Sequence, residues 1–136
     1  MMNIEYWKEA IMARNAIHAN GAVAVGPYSH AVDSGELIFL SGQTPLDSNT
    51  GLLVAGDIKA QTRQCFINLF NVLDACGLNS DHVQKVNVYL TDMNTFKDMN
   101  EVYQQMFKSP YPARTTIGVA SLPLGAQVEI EMIVKK

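Results

Sequence analysis

Between Asp57 and Gly77, the residues Ile58, Thr62, Cys65, Phe66, Leu69, Val72, Leu73 and Cys76 recur at three- and four-residue intervals. That spacing predicts one amphipathic helix of about five turns, opened by an Asp able to cap it and closed by a Gly. A helix with one apolar stripe must bury it against another layer. The segment that follows supplies one: from Val83 to Thr91 the chain alternates, with Val86, Val88 and Leu90 on one face and Asn87, Tyr89 and Thr91 on the other. This strand is predicted to lie half-covered by the helix, so the fold begins as a helix layer on a sheet.

The rest of the chain extends those two layers. Strands are predicted over Arg14 to Ala19, over the apolar run ELIFLSGQ from Glu36 to Gln43, over Ala113 to Ala120 and over Gln127 to Val134. A second helix is expected over 95 to 107, with Thr95 and Asp98 as a capping box and Phe96, Met99, Val102, Tyr103, Met106 and Phe107 as its apolar stripe. Ile4, Tyr6, Trp7, Ala10 and Ile11 also carry helical spacing, predicting a short helix over 3 to 12. DSNTG at 47 to 51 and LPLG at 122 to 125 are turn chemistry. The order of strands, helix, strand, helix, strands lacks the strict alternation of a doubly wound fold and predicts an α+β protein: one mixed sheet with two helices on one face. We expect an N-terminal extension over residues 1–20 and a single domain over 21–136.

The 136 residues suffice for one core. A net charge of −3 argues against nucleic acid as a main partner. No apolar run approaches the roughly 20 residues of a membrane span, and the first residues lack the pattern of a secretory leader. The expectation is therefore a cytoplasmic protein. Cys65 and Cys76 sit eleven positions apart, about 16 Å along one helix, too far for a disulfide.

With both helices on one face, the other face of the sheet, carrying Ile133 and Tyr89 beside Glu129, Glu131 and Asn87, needs a cover. Packing against identical copies around a cyclic axis supplies one and leaves polar residues in clefts between subunits.

Few residues remain to carry chemistry. The three histidines lie in separate elements and no metal-binding spacing occurs, so no metal is expected. There is no phosphate-cradling glycine pattern and no nucleophile elbow around Ser41-Gly42. Alternation is expected to set His30 on the same side as Tyr28, most simply as a solvated or hydrogen-bonded strand histidine. Arg114 opens an otherwise uncharged strand, and its guanidinium fork suits a carboxylate, either a substrate's or that of Glu129 or Glu131. Glu129 is expected on a strand turned back beside that of Arg114, either as a solvated charge or as a group that orients or deprotonates a water.

Several separated motifs then coincide. GPYSHA at 26, SGQTPLD at 41, DIKAQTRQ at 57, VNVYLTDM at 86, FKDMNEVY at 96, PARTTIGVASLPLGA at 112 and VEIEMI at 128 resemble the RidA family, also called YjgF or L-PSP, from about Ala22 to the C-terminus. The resemblance implies a chorismate-mutase-like α+β fold, a homotrimer with intersubunit clefts, and cofactor-free hydrolysis of reactive enamines and imines, such as 2-aminoacrylate (with its tautomer 2-iminopropanoate) and 2-iminobutanoate, to 2-oxo acids and ammonia. Carried over by position, Tyr28 matches the family's site tyrosine, Arg114 the arginine that clamps the substrate carboxylate, Asn100 the asparagine of the second helix, Glu129 the first glutamate of EIE, and Ser41 the pocket serine. Thr116 stands where well-studied members often have cysteine, a residue acting largely through its main chain. Gly118 in place of a glutamate and His30 in place of a glutamine are departures bearing on substrate preference. Two alternatives accompany the deaminase reading: an endoribonuclease or translation inhibitor, a label the family also carries, and a non-catalytic trimer that binds small carboxylates.

Overall fold

The computed structural model describes residues 13–136; the helix expected over 3 to 12 lies outside them. Its elements, in chain order, are strands β1 (Asn15–Ile17), β2 (Ala31–Asp33) and β3 (Leu37–Gln43), helix α1 (Ile58–Ala75), strand β4 (Val83–Leu90), helix α2 (Phe96–Met106), and strands β5 (Ala113–Gly118) and β6 (Val128–Lys135). The strands form a six-stranded sheet in the order β1-β2-β3-β6-β4-β5, mixed because β4 and β5 run parallel while the other pairs are antiparallel. Strand β2 escapes sequence reading because three residues are too short to display an alternation.

Helix α1 forms as its periodicity predicts. The Asp57 carboxylate accepts from the Ala60 amide at 3.0 Å, and Gly77, at φ 73°, ends the helix. There the Leu78 and Gly77 amides donate to the Leu73 and Asp74 carbonyls, each at 3.0 Å, a glycine-closed terminus. The apolar stripe is buried: Cys65, Phe66, Leu69 and Val72 are fully inaccessible. Both cysteines are free, and burial pushes the Cys65 thiol well above its ordinary value, so it packs as a small apolar group.

Helix α2 differs from expectation at its start. No side chain caps it at Thr95; the Thr95 hydroxyl instead donates to the Asp92 carbonyl at 2.6 Å, closing a short 3-10 turn (Met93–Thr95) that feeds the helix. Thr95, at φ −88° and ψ 1°, also lacks the extended backbone that aims an N-cap oxygen at the helix amides. Phe66 joins the two helices, its ring centroid 5.7 Å from those of Phe70, Tyr103 and Phe107.

Against this helix layer the sheet presents Ile38, Leu40, Val86, Val88, Leu90, Val128, Ile130, Met132 and Val134, all buried. The alternation read from β4 and β6 is observed directly. The opposite face carries Phe39 (45% exposed), Ile117 (46% exposed), Tyr89, Ile133, Asn87, Glu129 and Glu131, with no helix over it among the described residues.

One expectation is overturned. β5 and β6 are not neighbours: β4 lies between them, in register with Arg114 at Val86 and with Glu129 at Tyr89. The parallel β4 and β5 need a crossover, which α2 provides. The connection from β5 then passes over the end of β4, where the Val119 amide donates to the Leu90 carbonyl at 2.8 Å and the Thr91 amide to the Gln127 carbonyl at 3.2 Å. β5 and β6 run in opposite directions, as a hairpin requires, but β4 occupies the place between them.

Candidate functional site

The sequence-predicted residues gather at two clefts of one chain. The first, of about 430 Å³, is lined by Asn100, Tyr103, Gln104, Tyr111, Pro112 and Arg114. Arg114 shares its face of the sheet with Val86, the helix side. Its guanidinium lies over the Tyr103 ring, 4.5 Å from the centroid, and 5.6 Å from that of Phe96. Nη1 donates to Asn100 Oδ1 at 2.6 Å. Among the described residues no carboxylate pairs with Arg114, so a guanidinium held by aromatic rings and one amide oxygen faces the cleft with its other N–H groups available. Tyr103, which sequence reading assigned to the core stripe alone, is thus the platform of the arginine.

The second cleft, of about 370 Å³, includes Tyr28, Ser41, Gly42, Gln43, Glu129 and Glu131. β3 is irregular between Leu40 and Gln43, which turns Ser41 and Gly42 toward Glu129. Gly42 is a glycine for reasons of space: a Cβ there would lie 3.1 Å from Glu129 Cδ and 3.3 Å from its Oε2. Burial, and secondarily the like charge of Glu131, raise the Glu129 carboxyl above its ordinary value. Glu131 is engaged, accepting from the Tyr89 hydroxyl and, at 3.1 Å, from Asn87 Nδ2; the Tyr89–Glu131 bond, with burial and the two carboxylates, pushes the Tyr89 phenol up to about 12. Tyr89 therefore stays protonated as the donor to Glu131, while burial biases Glu129 toward holding a proton. Sequence alternation had placed Glu131, Tyr89 and Asn87 on this face without marking them as part of a site. The Tyr28 hydroxyl accepts from the Val25 amide at 3.0 Å.

The structure brings Tyr28, Ser41 and Glu129 together, and Arg114 with Asn100, but not the two groups with each other. Their strands are separated by β4, and they project from opposite faces of the sheet, because Arg114 pairs with core-facing Val86 and Glu129 with Tyr89 on the uncovered face. Thr116 shares the Arg114 face yet lines neither cleft; its Oγ1 is buried without a partner among the described residues. His30 does not share a side with Tyr28: residues 28 to 30 are not a strand, Tyr28 is exposed and His30 is buried. Among the described residues no cluster of three His, Cys, Asp or Glu side chains is arranged to hold a metal.

The structure is thus an α+β fold with an arginine-headed cleft on one side of its sheet and a carboxyl-bearing cleft on the other. A family model for Endoribonuclease L-PSP matches residues 7–136, and the chain belongs to that family, which is the one its motifs resemble. A RutC family protein of Pyrococcus horikoshii is 45% identical over 95% of this chain and 98% of its own length. The 2-iminobutanoate/2-iminopropanoate deaminase of Dermatophagoides farinae is 44% identical over 81% of this chain and 86% of its own. A crystal structure of E. coli TdcF with bound serine superposes at a TM-score of 0.85, with 37% identity, covering 90% of this chain and 98% of that one.

Proposed function

We propose that the chain is a hydrolytic deaminase of small 2-imino acids and their enamine tautomers, releasing 2-oxo acids and ammonia, and that it works as a homotrimer. The observation that carries this reading is the Arg114 guanidinium, fixed by Asn100 and Tyr103 and left without a carboxylate among the described residues. A bidentate fork set over aromatic rings is suited to a small planar carboxylate. The serine in the TdcF structure is a small carboxylate, and the D. farinae relative carries the deaminase name.

The split between the two clefts supports the trimer. Strands two places apart are about 10 Å apart, and Arg114 and Glu129 leave opposite faces, so one small acid cannot meet both in a single chain. The Arg114 cleft of one copy against the Glu129 cleft of the next would complete a site and would also cover Phe39, Ile117 and their neighbours. In such a site Arg114 and Asn100 hold the carboxylate, Ser41 bounds the pocket with Thr116 contributing its main chain, and Tyr28 and Glu129 orient a water. The water adds to the C=N carbon and gives a proton to Glu129, which passes it to the nitrogen; the carbinolamine then transfers its hydroxyl proton to the amine by way of Glu129 and collapses to the 2-oxo acid as ammonia leaves.

The test is ammonia release from 2-iminobutanoate generated in situ, comparing wild type with Arg114→Ala and Arg114→Lys at equal oligomer concentration. We expect Ala to lose at least about 100-fold in kcat/KM, the scale of a lost positioning clamp, and Lys, which keeps the charge without the fork, to lose most of it. Full activity in Arg114→Ala would defeat the clamp. Binding of 2-oxo acids without imine turnover would favour the non-catalytic reading, and RNA cleavage that survives repurification and vanishes in Arg114→Ala would favour the endoribonuclease.

A further inference from the structure

The loop that presents Tyr28 is held from behind by a buried histidine. His30 is 4% exposed. Its Nδ1 accepts from the Ala19 amide at 2.8 Å, which places the neutral ring's proton on Nε2, an atom with no partner among the described residues. The backbone of the same segment is tied to the second cleft: the Ser41 amide donates to the His30 carbonyl at 2.9 Å, and the Ser41 hydroxyl donates to the Ser29 carbonyl at 2.6 Å. Residues 28 to 30 are therefore pinned on one side to Ser41, a wall of the cleft, and on the other through the imidazole to Ala19, just beyond β1.

We infer that His30 is a positioning residue for the Tyr28 side of the cleft and a proton-sensitive latch: neutral, it fastens the Tyr28 loop to Ala19, and protonated, it lets go. The inference rests on the deaminase reading for its effect on catalysis, while the latch itself rests on the hydrogen bonds alone.

Protonation would put a second donor on Nδ1, aimed at an amide donor 2.8 Å away. Two donors cannot share that contact, so the bond is lost and the Ala19 amide is left unpaired. Among the described residues, no group near the ion offers compensation. The titratable group facing it is His18, whose ring stands edge-on with centroids 5.5 Å apart and which repels it when charged. Among the described residues no acidic side chain pairs with either ring. Burial first, and His18 second, hold His30 below its ordinary value of 6.5. With the folded value depressed, the unfolded or unlatched state binds the proton more readily. The latch therefore contributes fully above pH 6.5 and is lost as pH falls from there through the lower folded value.

Two substitutions separate the acceptor from the titration. His30→Gln offers a carbonyl oxygen to the Ala19 amide and has no proton to gain. His30→Leu removes the acceptor at every pH. Imine turnover is followed from about pH 5 to 8 for wild type and both variants, alongside amide exchange at Ala19 and Ser41, corrected for intrinsic rates, and the ring resonances of His30. We expect wild type to lose kcat/KM on an acid limb that coincides with His30 titration and with loss of Ala19 protection. His30→Gln should stay within about threefold of wild type at pH 8 and keep both activity and protection on the acid side until Glu129 titrates. His30→Leu should be about tenfold weaker throughout, the scale of an unpaired buried amide. An acid limb unchanged in His30→Gln, or Ala19 protection in wild type that is indifferent to His30 protonation, overturns the inference. If no variant turns over imines yet Ala19 protection follows His30 as described, the latch stands and the deaminase reading falls.

Discussion

Gly42→Ala isolates the geometry around Glu129. The backbone at Gly42 does not have the positive φ that restricts a position to glycine, so the added methyl acts through space. Built onto the backbone, it would lie 3.1 Å from Glu129 Cδ and 3.3 Å from both Cγ and Oε2. Carbon pairs rest at about 3.5 to 4.0 Å, leaving a shortfall of roughly 0.4 to 0.9 Å at Cδ. Strand β6 is fixed between β3 and β4, so the side chain of Glu129 gives way and its carboxyl moves by a comparable distance. A displacement near 1 Å of a positioning group costs about 100-fold; for this smaller shift we expect kcat/KM to fall about tenfold, or about 1.4 kcal/mol. Stability should fall by about 1 kcal/mol, the lower end for overpacking. The assay is a double-mutant cycle of Gly42→Ala with Glu129→Ala, read as imine turnover and as urea unfolding. Once Glu129 is shortened, the methyl has nothing to push, so Gly42→Ala should cost almost nothing further in either measurement. Equal losses in the two backgrounds, or wild-type turnover in the single variant, would show that the methyl does not act through Glu129.

Glu129→Gln should raise the melting temperature at pH 7 and lose that advantage near pH 4. A carboxyl whose folded value is raised binds its proton more readily in the native state, so its ionisation destabilises the fold as pH rises through that value, and the amide removes the penalty. Turnover by wild type should fall on the acid side as Glu129 is protonated, and a melting temperature unmoved at pH 7 would contradict the burial argument. Phe66→Ala should cost about 3 to 5 kcal/mol, because the ring is fully inaccessible and joins α1 to α2 through Phe70, Tyr103 and Phe107. Thermal unfolding measures it, and a loss under about 1 kcal/mol would mean that the cluster collapses around the gap.

The features legible from sequence are local ones. The α1 stripe with its Asp57 cap and Gly77 stop, the β4 and β6 alternations and the 47 to 51 turn all follow from interactions between residues a few positions apart, and each forms as its spacing requires. From these came the α+β class and the prediction of an uncovered, partly apolar sheet face. Local chemistry also misled at Thr95, whose backbone lacks the extended cap conformation and whose hydroxyl closes the 3-10 turn behind it. Only tertiary structure decided which strands lie side by side. Pairing β5 with β4 through the α2 crossover puts β4 between Arg114 and Glu129 and sends them to opposite faces. No sequence spacing encodes that, because strand order depends on which long-range pairing buries the most apolar surface. The same holds for the environments that give the residues their chemistry. The Tyr103 platform under Arg114, the raised carboxyl of Glu129 and the imidazole that ties His30 to Ala19 are made by elements remote in sequence, and burial, which sets all three, exists only once the chain has closed around them.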